Sequence, residues 1–269
     1  MPSELVMLVF AWCTVSDLPH LAVVNTQVKE MTDSRRRRVS ILKYTPFSVQ
    51  SPFQMRHLDL QCNNIDDVAM LSFSSAIASG ALANLRKLNL DKNQIGGDGM
   101  TALSTIIATG SLVNLTTLSL YSNRIGDGGM CAFSNAIASL VNLKQLDLSE
   151  NHIGDVGMTA FSTAITNGSL VNLHQLEISY NDIGDTGMIV FVDALKPSPI
   201  NSFGSLASLQ NLYIDGTDIG DLGMTSLAKT VANWSLPSLQ NLVVSSPHEG
   251  NLQLRVVCSQ RRIMLVSYR

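Results

Sequence analysis

The sequence predicts an α/β fold, a curved solenoid with parallel strands on its concave face, helices on its convex face and a small helical N-terminal segment. Three observations support this prediction. A motif repeats along residues 51–246, each copy opens with alternating leucines, and each copy closes with apolar residues at helical spacing. Alternation at every second residue is typical of a strand, and the wider spacing is typical of a helix. Units that each contribute one strand and one helix stack side by side into a solenoid.

The repeated motif has a nearly constant period. Four copies align without gaps: LRKLNLDKNQIG, LTTLSLYSNRIG, LKQLDLSENHIG and LHQLEISYNDIG. One degenerate copy precedes them and two more diverged copies follow, which gives seven copies in all. Their second leucines are Leu58, Leu88, Leu118, Leu146, Leu176, Leu212 and Leu242, spaced by 30, 30, 28, 30, 36 and 30 residues. The unit of 36 residues contains the insertion KPSPINSFG at 196–204, whose prolines and glycine predict a loop.

An asparagine follows the predicted strand at a fixed distance in the first five copies. We predict that these residues form a buried ladder, in which each side chain satisfies backbone groups where the chain leaves the strand. The ladder residues are Asn63, Asn93, Asn123, Asn151 and Asn181.

The pattern I-G-D-x-G-M then leads into the helix of each copy. Its glycines favour a turn, and its aspartates are predicted to be helix N-caps. These aspartates are Asp127, Asp155, Asp185 and Asp221. One face of each helix is apolar, which predicts that the helices pack against the strands. In the third copy this face consists of Met130, Phe133, Ile137 and Leu140.

These copies resemble leucine-rich repeats of the ribonuclease-inhibitor-like type, whose pattern LxxLxLxxNxI they match along residues 56–246. The resemblance implies a scaffold that binds other proteins. It does not select one function, because this scaffold serves inhibitors, immune receptors, ligase adaptors and GTPase activators alike.

Residues 1–50 do not repeat and contain the stretch PSELVMLVFAWC. They resemble an F-box, the helical module that docks a substrate receptor onto a cullin-based ubiquitin ligase through an adaptor subunit. The residues to which this resemblance assigns adaptor binding are Pro2, Leu5, Val9, Phe10 and Leu18. The chain departs from the F-box pattern at Cys13, Thr26 and Val28. An amphipathic cap over the open edge of the solenoid is the alternative interpretation.

Two basic segments flank the repeats. The run Arg35–Arg38 is interpreted as a solvated linker that completes the N-terminal segment. A nuclear-localisation patch and, with Val39 and Ser40, a site for a basophilic kinase are the alternatives. Residues 247–269 carry a net charge of +3 and form either a cap or a free tail.

Strand alternation predicts which side chains line the concave face, namely those beside the inward-facing leucines. On this face five carboxylates stand against one lysine, so that its net charge is −4. Tyrosines are typical anchors of protein interfaces, and the negative charge favours a basic protein segment as the partner. The predicted partner-binding residues are Asp59, Asp91, Tyr121, Asp147, Glu177, Tyr213 and Asp215.

Several other function classes are disfavoured. Residues 56–246 carry a net charge of −8, which argues against nucleic acid as a partner. The longest apolar run has eight residues, far fewer than the roughly 18 that a membrane-spanning helix needs. Scattered cysteines and histidines give no zinc pattern and no catalytic set, so we expect no metal, no cofactor and no enzymatic activity. Reduced cysteines favour a cytoplasmic or nuclear location.

The combined hypothesis is a substrate-recognition subunit of a cullin-based ubiquitin ligase that binds its target on the repeat face. A stand-alone binding module is one alternative. A Ran-type GTPase activator is another, for which Arg124 is the only arginine in the loops that follow the strands.

Overall fold

A computed structural model describes residues 55–78, 82–197, 205–245 and 250–268. Strands and helices alternate along these residues. The strands are β1 (His57–Asp59), β2 (Lys87–Asn89), β3 (Thr117–Ser119), β4 (Gln145–Asp147), β5 (Gln175–Glu177), β6 (Asn211–Ile214), β7 (Asn241–Ser245) and β8 (Met264–Tyr268). The helices are α1 (Asp67–Ile77), α2 (Gly97–Ala108), α3 (Gly126–Ala136), α4 (Asp155–Thr166), α5 (Asp185–Ala194), α6 (Asp221–Ala232) and α7 (Gly250–Arg261).

The eight described strands form one parallel sheet in the order in which they occur along the chain. The second leucine of each repeat lies opposite the second leucine of its neighbour, as Leu118 does with Leu88 and Leu146. These leucines are buried in a continuous core between the sheet and the helices. The predicted α/β solenoid is therefore confirmed, with its strands in register across the described repeats.

The helices contribute an aromatic row to this core. Phe73, Phe133, Phe161 and Phe191 occupy the same position in their helices and are fully buried. The rings of Phe161 and Phe191 are stacked, with centroids 6.5 Å apart. The apolar stripe predicted for the third repeat is buried along its whole length, although Ile137 lies in a 3-10 turn that follows α3.

Asparagine side chains connect the end of each strand to the repeat before it. The Nδ2 group of Asn151, which is completely buried, donates to the carbonyl oxygens of Leu120 at 2.9 Å and Leu148 at 3.0 Å. Asn93, Asn123 and Asn181 are also buried and make the equivalent bonds. These bonds satisfy carbonyl groups that the short strands leave without a sheet partner.

The two ends of the asparagine ladder differ from its middle. Asn63, in the first repeat, is only half-buried, and its Nδ2 group donates to the carbonyl of Gln61 two residues earlier. Thr217 replaces the asparagine in the sixth repeat, and its hydroxyl donates to the carbonyl of Ile214 within the same repeat. The bonds from ladder side chains to the carbonyl groups of the preceding repeat are therefore made by the four asparagines between these ends.

We expect Asn151→Ala to lower the free energy of unfolding by about 1–3 kcal/mol, because it leaves buried carbonyl groups without a donor. Chemical denaturation would measure the loss. Asn142→Ala is the matched control, since Asn142 is exposed and donates a single bond, to Val113. Equal losses for the two variants would contradict the structural role of the ladder.

The aspartates of the I-G-D-x-G-M pattern do not cap their own helices, and this prediction is wrong. Oδ1 of Asp127 accepts hydrogen bonds from the N–H groups of Gly154 and Gly157, both at 2.8 Å, at the start of the next helix α4. Stacking brings each carboxylate beside the N-terminus of the neighbouring helix, where N–H groups lack partners and the helix dipole favours negative charge. The aspartates that make this inter-repeat clamp are Asp67, Asp127, Asp155 and Asp185.

The clamp depends on glycine at the third residue of the receiving helix. A Cβ atom on Gly157 would lie 2.7 Å from Oδ1 of Asp127 and 3.0 Å from Cβ of Met130. A side chain there would push α4 away from α3, so the recurring glycine reflects the close approach of neighbouring helices.

The junction between α2 and α3 lacks the clamp. Gly97 stands where the other repeats have the aspartate, and Asp98, one residue later, is exposed. The receiving helix α3 begins differently from the others, at Gly126, which has a φ of +59°. In the next repeat Oδ1 of Asn151 is buried without a hydrogen-bond partner. The stacking is therefore least regular between the second and fourth repeats.

The C-terminal segment adds α7 and β8 to the solenoid. The guanidinium of Arg261 donates to the carbonyls of Val231 at 2.6 Å and Leu236 at 3.0 Å, and it lies 4.0 Å from the ring centroid of Trp234. Arg261 thus ties the end of α7 to the end of α6. None of the helices in the described part of the chain has the length and apolarity to span a membrane.

Candidate protein-binding face

The concave face carries one row of side chains that crosses five strands. Sheet register places Ser119, Asp147, Glu177, Tyr213 and Val243 opposite one another on β3 to β7. Neighbouring members of such a row are separated by about 4.8 Å. The row therefore brings two carboxylates and a tyrosine together at the centre of the sheet.

A second row follows two residues later, where the strands end. Its members are Asp91, Tyr121, Ser149, Ser179 and Asp215. Serines of both rows bind aspartates of the second row in adjacent repeats. Ser119 of the first row donates to Asp91 at 2.6 Å, and Ser179 of the second row donates to Asp215 at 2.6 Å. Asp215 is 7% exposed, so this carboxylate is held within the face instead of projecting into solvent.

The two rows border a pocket of about 460 Å³ at the centre of the concave face. Carboxylates, tyrosines and serines surround it, with Val243 as an apolar contact. The carboxylates are Asp147, Glu150, Glu177 and Asp215, and the tyrosines are Tyr121, Tyr180 and Tyr213. The volume falls in the range of about 300–1,000 Å³ that is usual for ligand pockets.

Two of the tyrosines are held in place by their neighbours. The hydroxyl of Tyr121 donates to Glu150 at 2.8 Å, and the ammonium of Lys92 lies 5.6 Å from the centroid of its ring. The ring of Tyr180 lies over Gly216, where a Cβ atom would come within 2.4 Å of it. Gly216 has a φ of +66°, so both the backbone and the ring disfavour a side chain at this position.

Burial and mutual repulsion disfavour the charged forms of three carboxylates on this face. Burial is the main reason that the pKa of Asp147 is raised, and the neighbouring Glu150 adds to the effect. Burial also raises the pKa of Glu177, followed by repulsion from Asp147. The pKa of Asp91 is raised by burial in spite of its hydrogen bonds from Ser119 and Tyr121. The face thus keeps negative charge where the fold itself would be more stable without it.

A family model described as Leucine Rich repeat matches residues 54–74, 81–104, 111–134, 139–162 and 169–192. The chain contains leucine-rich repeats. The comparison with curated proteins found no match. Among solved structures, leiomodin-1 actin-binding site 2 is similar over 61% of this chain and 88% of that chain, with 14% identity and a TM-score of 0.47. An internalin (inlF) from Listeria monocytogenes str. 4b F2365 is similar over 81% of this chain and 62% of that chain, with 20% identity and a TM-score of 0.45.

The predicted partner-binding residues lie in two parts of the leucine-rich-repeat face, one at the pocket and one on earlier repeats. Five of them lie at the pocket: Tyr121, Asp147, Glu177, Tyr213 and Asp215. Asp59 and Asp91 lie on the repeats before the pocket, toward the first strand. The predicted adaptor-binding residues, which are Pro2, Leu5, Val9, Phe10 and Leu18, lie outside the described residues.

Sequence reasoning missed Glu150 and Tyr180 as pocket residues. Glu150 and Tyr180 immediately precede the ladder asparagine of their repeats, and both have a positive φ, as does the equivalent Lys92. This conformation turns the chain beside the strand end, so that the side chains at this position join the edge of the concave face. The signal in the sequence was the fixed place of these residues before the asparagine. Within the described residues, no cluster of three or more His, Cys, Asp or Glu side chains is placed to hold a metal ion.

The raised pKa values predict that removing negative charge stabilises the leucine-rich-repeat domain. We expect the double variant Asp147→Asn/Glu177→Gln to melt at a higher temperature than the wild type at about pH 7, since each amide retains an oxygen acceptor. A carboxyl whose folded-state pKa is raised destabilises the fold above that pKa, and this penalty disappears below the unfolded-state pKa. The difference in melting temperature should therefore shrink as the pH falls and vanish below about pH 4. Thermal denaturation over this pH range measures the effect, and a variant less stable than the wild type at about pH 7 would contradict it.

Proposed function

We propose that this protein binds a basic segment of another protein on its concave face, and that it acts as the substrate-recognition subunit of a cullin-based ubiquitin ligase. The observation that carries the binding proposal is the pocket at the centre of the face, where four carboxylates and three tyrosines converge. Acidic groups attract a basic partner over a distance, and tyrosines supply contact area once it has docked.

The electrostatics of the face support this proposal. The carboxylates at Asp91, Asp147 and Glu177 have raised pKa values, so their charges work against the stability of the isolated protein. Charged groups that oppose stability are typical of functional sites, because a bound partner of opposite charge relieves their repulsion. The described strands also provide a rigid frame, which lowers the entropic cost of ordering the site on binding.

The ligase role rests on the F-box resemblance of residues 1–50 together with the repeats that follow them. In this model of function the N-terminal segment holds the adaptor, and the concave face presents the target to the ubiquitin machinery. The role requires no catalytic group in this chain, because the transfer chemistry belongs to the other subunits.

Affinity purification of the full chain from cells tests the ligase role. We expect the wild type to retain the adaptor and the cullin, and Phe10→Ala to lose both while the melting temperature of the repeats stays the same. If Phe10→Ala instead lowers the melting temperature, the N-terminal segment is a cap of the solenoid, since removal of a buried aromatic ring costs about 3–5 kcal/mol. Retention of a small GTPase without adaptor or cullin would favour the activator alternative and overturn the ligase role.

A further inference from the structure

The pocket contains one polar group that the protein itself does not satisfy. Ser149 is only 5% exposed, and its Oγ has no hydrogen-bond partner although it lies at the pocket wall. The Asp147 carboxylate accepts from the backbone N–H of Ser149 at 2.9 Å. Burial raises the pKa of this carboxylate and the nearby Ser149 hydroxyl lowers it, although the hydroxyl does not meet the geometry of a hydrogen bond. A buried polar atom without a partner is costly, so such an atom at a pocket wall indicates a ligand that completes its bonding.

The equivalent serine of the next repeat shows what Ser149 lacks. Ser179 donates to Asp215, which directly follows the adjacent strand β6. Ser149 has Tyr121 and Ser179 at the equivalent positions on either side, and neither of them accepts its proton. The unsatisfied hydroxyl is therefore confined to the repeat at the centre of the pocket.

The remaining groups of the pocket define the charge and shape of this ligand. Asp147 and Glu177 lie opposite each other on adjacent strands, and their repulsion adds to the larger effect of burial in raising the pKa of Glu177. A cation between them would remove that repulsion. The rings of Tyr121, Tyr180 and Tyr213 border the same space, and an aromatic face attracts a cation within about 6 Å of its centroid.

We propose that this pocket binds the guanidinium group of a single arginine in the target protein. This inference rests on the proposed binding of a basic segment to the concave face and names the side chain that the pocket selects. A guanidinium fits better than an ammonium for two reasons. It is planar and stacks on tyrosine rings, and its five N–H donors match a pocket of carboxylates with one free serine oxygen.

Titration of the full chain with N-acetyl-L-arginine amide tests the proposal directly. Tyrosine ring signals, observed by NMR after isotope labelling and assigned through single Tyr→Phe variants, should shift in a saturable manner at Tyr121, Tyr180 and Tyr213. The matching citrulline compound has almost the same shape but no charge and should cause no saturable shift. The lysine compound should bind more weakly than the arginine compound. Absence of saturation with the arginine compound, or equal affinity for all three, would overturn the proposal.

Two pocket variants and one control sharpen the test. Ser149→Ala should weaken binding of the arginine compound roughly fivefold, the fold-change that corresponds to the loss of one hydrogen bond. Glu177→Gln should weaken it about tenfold. Asp98→Asn removes the same unit of charge at an exposed position in the first turn of α2, away from the pocket, and should leave the affinity unchanged. Equal weakening by Asp98→Asn would show that only the general charge of the protein matters.

Binding of a target segment to the concave face distinguishes failure of this inference from failure of the proposed function. A target segment that binds the concave face equally well after each of its arginines is changed to lysine would refute the arginine pocket and leave the binding proposal intact. If the same segment does not bind the concave face at all, the binding proposal fails as well.

Discussion

Asp155→Ala will lower the free energy of unfolding by about 2–3 kcal/mol, which is a large part of the stability of an ordinary domain. The variant removes the acceptor of two backbone N–H groups at once, those of Gly184 at 2.8 Å and Gly187 at 2.9 Å. It also removes a negative charge from the N-terminus of α5, where the helix dipole favours it. Because the clamp joins two repeats, the loss should appear as reduced cooperativity between them.

Asp98→Ala is the matched control for the clamp. Asp98 lies in the first turn of α2 and is exposed, so that it resembles Asp155 in location but makes no clamp. Its removal should change stability by less than about 0.5 kcal/mol. Asp155→Asn should fall between the two, because it keeps an oxygen acceptor and loses the charge. Chemical denaturation measures all three variants, and equal effects of Asp98→Ala and Asp155→Ala would contradict the inter-repeat clamp.

Reversing two charges at the pocket will slow the binding of a basic target by about tenfold at low salt. Asp147→Lys/Glu177→Lys changes the net charge of the concave face by four units and turns attraction into repulsion where the carboxylate row meets the pocket. Dissociation should change much less than association, because long-range attraction acts mainly on the encounter. The difference between wild type and variant should shrink as salt is added, since the screening length is only about 8 Å at physiological ionic strength.

The control for this prediction carries the same change of charge elsewhere. Asp98→Lys/Asp193→Lys places both reversals on helices, at exposed positions outside the pocket. Surface-plasmon kinetics with the target that the wild type retains should show nearly normal association for this control. Tyr121→Ala and Tyr213→Ala should instead mainly raise the dissociation rate, because a tyrosine contributes contact area after docking. Equal slowing by both charge reversals would place the binding surface outside the concave face.

The fold could be predicted because the same pattern of strand and helix occurs in each copy of the repeat. Alternating leucines and the helical stripe fix strand and helix in each copy, and a wrong assignment in one copy would conflict with the others. The asparagine ladder could also be predicted from the sequence, since a polar residue at a fixed position between apolar residues must find hydrogen-bond partners inside the core.

The aspartate clamp was not predictable from a single copy. An aspartate before a helix is normally assigned to that helix, and only the stacking distance shows that Asp127 lies nearer to the next one. The recurring glycine at the third helical position was the available signal, because a helix gains no stability from glycine there unless something packs against it. Ala69 in α1 is the one exception among the six helices that carry the pattern.

The charge of the candidate site could be predicted from the sequence, but the burial of its carboxylates could not. Strand alternation identified Asp147, Glu177 and Tyr213 as neighbours on one face, because register follows from the repeat. Alternation alone does not give the burial of these carboxylates. The structure instead buries Asp215 and raises the pKa of Glu177, mainly through burial of its carboxylate.

Hydrogen exchange, measured by mass spectrometry with and without the retained target, tests the central claim most directly. Binding at the concave face predicts slower exchange in the segments where β3 to β6 end, at 119–123, 147–151, 177–181 and 213–217. Helices α4 and α5 on the opposite side should exchange at the same rate in both states. Protection of α4 and α5 without protection of the strand ends would contradict binding at the concave face.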